Sequence, residues 1–421
     1  MRPPRLLAAS VASLLAVLPL AGASSGELFP AAGRDEPAGL LISLPPAQST
    51  PRLQALVAAA DADDVESIRF ALGMAQALAA VENLGRGLYE LGPRRDTLVS
   101  SLPILRLPVP ENPNPKESTP ADLDRLLKGF VADLAAARQT LQAVKGEVRL
   151  SVPITQLALD FDGDGRTGEG ETVGDVLFTL RMVNMRPTAG TAEFFLVDFD
   201  AADVQWLIAY THLLSGFAEI GLALDGTALW DHAGHLIFAR ARTPYDFLRG
   251  QGQFNLTPQS IGDLAAFVHL LRFPVREPAR MEAARQHFLA AIAGSRRQFE
   301  LARAETDDGR EWIPNGRQRS AFENVRVTDE VIAAWLAFLD DAEGVLNGER
   351  LIPFWRTDDG RGVNLRRAFA EERELDAVLW FQGTAAAPYL ERDKPLATGE
   401  SFRRLQRVTD GNFMTFAVWF N

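Results

Sequence analysis

Apolar positions recur at helical spacing along most of this chain. Val65, Ile68, Leu72, Ala75, Leu78 and Val81 mark one long amphipathic helix from Asp63 to Leu91, stopped by Gly92-Pro93. Leu123, Leu126, Leu127, Phe130, Leu134, Ala137 and Leu141 line a second helix as far as Lys145-Gly146. Thr119 is placed to cap it, Pro120 falls where a missing N–H costs nothing, and Asp122 favours the positive end. Further helices are predicted over 201–222, 260–272 (with a Ser260-x-x-Asp263 cap), 278–304 and 329–347. Residues 102–120 carry too many prolines for a helix or a central strand and are expected to form a draped connection. Only 148–152, 194–199 and 413–420 read as strands. The expected fold is mainly α: an irregular multi-helix architecture with few short strands and no fixed-period repeat.

The beginning of the chain has a different pattern. Arg2 and Arg5 precede an apolar run from Leu6 to Leu20 and the small residues Ala21-Gly22-Ala23, the layout of a cleavable secretory signal over residues 1–23. Retention as a membrane anchor is the rival, but the run is short for a span and Pro19 suits a peptidase site better. Residues 24–50, rich in Ala, Gly, Ser and Pro, are expected to be an extended leader. The rest divides into an N-terminal helical region (51–150), a helical core (151–290) and a C-terminal helical region with aromatic and acidic loops (291–421).

Composition narrows the chemistry. The chain has no cysteine, so it has no disulfide, no thiolate metal site, no cysteine nucleophile and no lipid anchor on a cysteine. A net charge of −12 disfavours nucleic acid and anionic membrane and concentrates cations at the surface. No segment after the signal is apolar and long enough to be an integral membrane helix. The expected location is the periplasm or the medium.

One short segment carries specific chemistry: Asp160-Phe-Asp162-Gly-Asp164-Gly165-Arg166-Thr-Gly168-Glu-Gly-Glu171. It resembles the twelve-residue loop of the EF-hand family, over about thirty residues from Pro153 to Arg181. The resemblance implies carboxylate ligands to a calcium ion from Asp160, Asp162 and Asp164, and a sharp turn at Gly165. It further implies a carbonyl ligand from Arg166, a water-mediated position at Gly168 and a closing bidentate Glu171. Val173, Val176, Leu177 and Leu180 predict the exiting helix, and Ile154, Leu157 and Ala158 a short entering one. Two features depart from the family. Position 8, usually aliphatic, is Thr167, and no second loop matches. Asp198-Phe-Asp200-Ala-Ala-Asp203 reads instead as a helix start capped by Asp200. A single unpaired loop fits a structural site better than a cooperative sensor. Against all this stands an ordinary Asp/Gly turn that holds no ion.

Other groups point to chemistry less sharply. His232 and His235 could bind a transition metal from one helical face, but no glutamate completes a metalloprotease motif and packing explains them as well. His212 and His269 lie in apolar helical runs, as partnered core residues do. Glu305, Asp307, Asp308 and Glu311 beside Trp312, and Asp358 and Asp359 beside Trp355, could furnish the carboxylate pair of a glycosidase; loop acids beside core tryptophans are the simpler account. There is no serine-hydrolase elbow, phosphate loop or dinucleotide fingerprint. Outside the calcium-type loop the chain resembles exported bacterial proteins of unassigned activity, which implies no reaction for it. The expectation is an exported calcium-binding protein with a structural or interaction role, whose partners are Ca²⁺ and envelope proteins or glycans. Its alternative is a secreted glycan-acting hydrolase stabilised by calcium, and no catalytic residue is identified.

Overall fold

The computed structural model describes residues 36–94, 107–179, 195–248, 257–307, 309–321, 327–357 and 359–409. The signal expected over 1–23 and the strand expected at 413–420 therefore lie outside the described residues. Thirteen α-helices and a few short strands are present among them, a mainly α, irregular multi-helix fold as expected.

The chain begins with α1 (Pro37–Ser43) and α2 (Pro46–Ala59). From Pro37 onward this replaces the extended leader expected over 24–50, whose residues 24–35 lie outside the described residues. The prolines that argue for extension sit in the first turn of each helix, where proline is tolerated, and Leu40, Leu41 and Leu53 turn into the core. The long α3 (Val65–Leu91) ends where Gly92 takes a left-handed φ of 62° and donates its N–H to Leu88 and Tyr89. After a non-helical crossing over 107–119, α4 (Pro120–Gln142) opens with Thr119 and Asp122 in a reciprocal cap. Strand β1 (Leu150–Pro153) pairs antiparallel with β2 (Leu196–Phe199), and α5 (Val173–Thr179) lies between them in sequence.

Next come α6 (Ala201–Ala223), α7 (Thr227–Ala233) and α8 (Pro258–His269). Helix α8 starts earlier than its expected Ser260–Asp263 cap, because Thr257 caps it through Ser260. Strand β3 (Arg272–Pro274) leads into α9 (Pro278–Ala304), followed by β4 (Arg310–Glu311), β5 (Arg319–Ser320) and α10 (Asp329–Leu346). The C-terminal part comprises β6 (Ile352–Pro353), β7 (Gly362–Val363), α11 (Leu365–Glu371), β8 (Glu374–Asp376), α12 (Ala377–Gln382), β9 (Leu390–Glu391) and α13 (Glu400–Val408). β3 pairs with β8, β4 with β5, and β7 lies between β6 and β9.

Small residues bring the long helices together in antiparallel pairs. A Cβ on Gly73 or Gly87 of α3 would fall 2.4 and 2.1 Å from side-chain carbons of Leu141 and Leu126 on α4. Likewise Gly294 of α9 faces Ala209 of α6, where an added Cβ would lie 2.7 Å from the alanine methyl. Arg138, buried on α4, joins the two pairs by donating to the Thr211 carbonyl (3.0 Å) and the Ser215 hydroxyl (2.9 Å) of α6. One cluster of buried side chains runs from Leu40 on α1 through Phe70, Phe199, Trp312 and Trp335 to Leu405 on α13. No helix among the described residues is long and apolar enough to cross a membrane.

Candidate metal centre

The loop from Asp160 to Glu171 is fastened at both ends. Leu159 N–H donates to the Glu171 carbonyl (2.9 Å) and Val173 N–H to the Leu157 carbonyl (3.0 Å), so its two stems pair like a short ladder. Ala158 N–H reaches the Leu41 carbonyl of α1 (3.1 Å), and the Gln48 side chain of α2 donates to the Gly165 carbonyl (2.7 Å). Phe161 is wholly buried against α3, where a Cβ on Gly85 would lie 2.2 Å from its ring. The entering element is a single 3₁₀ turn, Ile154–Gln156, because Pro153 precedes it; the exiting helix is α5.

Within the loop, acidic side chains bond to main-chain amides. Asp160 Oδ1 accepts from Gly163 N–H (2.7 Å) and Oδ2 from Gly165 N–H (3.1 Å). Asp162 accepts from Asp164 N–H (3.0 Å) and Asp164 from Arg166 N–H (2.8 Å). Such wrapping needs left-handed backbone at Gly163 and Gly165, with φ of 79° and 84°. As a result the carboxylates of Asp160, Asp162 and Asp164 converge, one oxygen of each within 4.8 Å of the others, in a set able to hold a metal ion. Asp160 is buried while Asp164 is exposed, so the group opens to solvent on one side.

Glu171 stands apart from that trio. It is buried, its Oε1 accepts Phe161 N–H (2.7 Å) and Asp162 N–H (3.0 Å), and its Oε2 accepts Gly168 N–H (2.7 Å). Burial raises its pKa, and the three amides oppose the rise. Here Glu171 pegs the loop closed. Gly168 suits that contact, since a Cβ there would lie 2.8 Å from Glu171 Oε2. Arg166 is exposed, and its amide bond to Asp164 is its link to the acidic group.

Two residues that sequence reasoning did not single out lie beneath the loop. Arg86 of α3 donates to Asp160 Oδ2 (3.0 Å), to the Asp160 carbonyl (3.2 Å) and to Glu82 one turn earlier (3.2 Å). Glu82 is fully buried, and burial pushes its pKa up to about 7 against the pull of Arg86. The i, i+4 spacing of this pair is visible in the sequence, but nothing in it points to a loop 74 residues further on.

A second acidic group lies elsewhere. Asp200 caps α6 by accepting Ala202 N–H (2.7 Å) and Asp203 N–H (3.4 Å), as its sequence context predicts. One carboxylate oxygen each from Asp200, Glu305 and Glu311 also lie within 4.8 Å of one another. Burial, then Asp200, raises Glu305; the same causes push Glu311 to about 8 and hold the buried Asp203 well above its ordinary range. The tryptophans do not form a platform around these acids. Trp312 is buried against Phe199 and Trp206. The exposed Trp355 packs on Phe354, which belongs to a separate small cluster around Val363 and Tyr389, and Asp359 is held by Arg361 and Arg392. Asp308 and Asp358 lie outside the described residues.

His269 is exposed, not the core residue its apolar run suggests, and His232 is exposed as well. His235 is buried 3.7 Å from Asp263, while His232 stacks on Tyr245. His212 of α6 meets His287 of α9 with their Nδ1 atoms 2.8 Å apart. No protein-family model, curated protein or solved structure matches this chain.

Proposed function

We propose that this is an exported calcium-binding protein in which the ion occupies the Asp160–Glu171 loop and stiffens the junction of α1, α2, α3 and α5. The observation that carries the reading is the convergence of Asp160, Asp162 and Asp164 around two left-handed glycines. Hard oxygen donors in a turn of flexible geometry suit Ca²⁺ better than the smaller Mg²⁺, which prefers to keep its waters. The basic-apolar-small order of residues 1–23 supports export. The role is structural: the loop bonds to four helical segments, and among the described residues it borders no second acidic loop. Its companions would be envelope proteins or glycans.

A single loop of this kind binds weakly, at about 10⁻⁴–10⁻³ M. Calcium at ~5 mM then stabilises the native state by about 1–2 kcal/mol through mass action. The chain freed of residues 1–23 should melt higher in calcium chloride than in EDTA or in equimolar magnesium, and Asp160→Asn should abolish the difference. Identical melting in all three media would refute the proposal.

A glycan hydrolase is the second reading, favoured by the raised Glu305 and Glu311 beside Asp200. Its difficulty is geometric. The three carboxylates crowd within 4.8 Å, closer than the ~5–9.5 Å that a sugar and its water need, and Trp312 faces the core.

A further inference from the structure

We infer that Arg86 is a resident cation of the 160–171 loop that competes with the bound metal for Asp160 and thereby lowers the loop's calcium affinity. The inference rests on the calcium reading above. Its evidence is the way α3 approaches the loop from behind. Arg86 donates to the side chain and to the carbonyl of Asp160, and its aliphatic stem runs beneath Gly163, where an added Cβ would lie 3.4 Å from Nε and 3.5 Å from Cδ. Glu82 completes the arrangement. It is wholly buried on the same helix, its Oε1 pairs with Arg86 at 3.2 Å, and its Oε2 has no hydrogen-bond partner. Through that contact the buried Glu82 holds the guanidinium in place at the back of the acidic group.

Two roles are open to a basic residue touching a metal-ligating carboxylate. It can orient the ligand, in which case removing it weakens binding by about 10–100-fold. It can also repel the incoming ion. Orientation is already supplied by the loop, because Gly163 N–H and Gly165 N–H hold both oxygens of Asp160. The distinctive contribution of Arg86 is thus its charge, placed 3.0 Å from the first acidic position. A fixed positive charge on the same carboxylate opposes a divalent cation there. It also lets the loop keep its shape between binding events, as three acids wrapped on one turn repel each other without a counter-charge.

Titration of the chain lacking residues 1–23 with calcium chloride, followed by calorimetry, separates the possibilities. Arg86→Gln keeps a hydrogen-bond donor and removes the charge; it should bind calcium at least tenfold more tightly than the wild type. Arg86→Lys, which keeps the charge, should stay within about threefold. A variant weakened merely by poor folding would bind less well, so a gain in affinity cannot arise from damage. Should Glu82 alone destabilise Arg86→Gln, the Glu82→Gln/Arg86→Gln double variant removes both charges, and the same tightening is expected. Equal or weaker binding by the folded Arg86→Gln or double variant, with the wild type binding, overturns the inference and leaves the calcium reading intact. Absence of heat from the wild type and from both charge-removing variants overturns both.

Discussion

Burial acts with opposite sign on the acidic and basic groups along the α6–α9 pair. Glu311 titrates at about 8 in the fold against 4.5 ordinarily, so the folded state holds its proton over that interval. Stability from this group is complete below 4.5 and is lost as pH rises through about 8. His212 is the reverse. Burial, then Arg138 and His287, lower it to about 4 from 6.5, so its contribution is complete above 6.5 and is lost as pH falls towards about 4. Glu219 faces the same pair and pulls His287 the other way. Between about pH 7.5 and 9 the histidines are silent, and urea midpoints should fall with rising pH in the wild type and less steeply in Glu311→Gln. A flat wild-type profile would contradict the burial assigned to Glu311. These partnerships were not legible in the sequence. Glu305 and Glu311 stand out there as loop acids and Asp200 as a cap, but only the meeting of the α6 start with the α9 end brings them together. The convergence of Asp160, Asp162 and Asp164, by contrast, could be anticipated, because the three lie within five consecutive residues. Glu171 could be placed but not oriented: spacing puts it at the closing position, and its bonds to three amides depend on how the loop folds.

Among the elements, α3 links the core to the loop. Gly85 looks replaceable in the sequence, since alanine is the better helix former by about 1 kcal/mol. In the fold Phe161 packs where its Cβ would lie, 2.2 Å away. Gly85→Ala should therefore destabilise by about 1–3 kcal/mol despite its helix propensity, and should loosen calcium binding by displacing the residue after Asp160. Urea denaturation checks the first effect, and a stabilised variant would show that Phe161 can move freely. Helix boundaries were legible where caps are local, as at Thr119 for α4 and Asp200 for α6. They were not where proline misleads, as in α1 and α2, whose prolines open helices that composition marks as extended. The strands β3 to β9 also escaped notice, because two- and three-residue ladders carry no periodicity.

Across the whole molecule, the long antiparallel helices form a frame and the loop sits at its edge, bonded to α1, α2, α3 and its own exit helix. A net charge of −12 draws cations to such an edge, and a weak site there fills only where calcium is abundant, as it is outside cells. Arg86 fits this picture by keeping the affinity low and the loop formed. The central claim is that the 160–171 loop binds calcium, and calorimetric titration of the chain lacking residues 1–23 with Ca²⁺ tests it most directly. The account predicts saturable heat for one site in the 10⁻⁴–10⁻³ M range, to order of magnitude, and none for Asp160→Asn, which removes a charge from the converging carboxylates. No saturable heat from the wild-type chain, or equal heats from both, would contradict it.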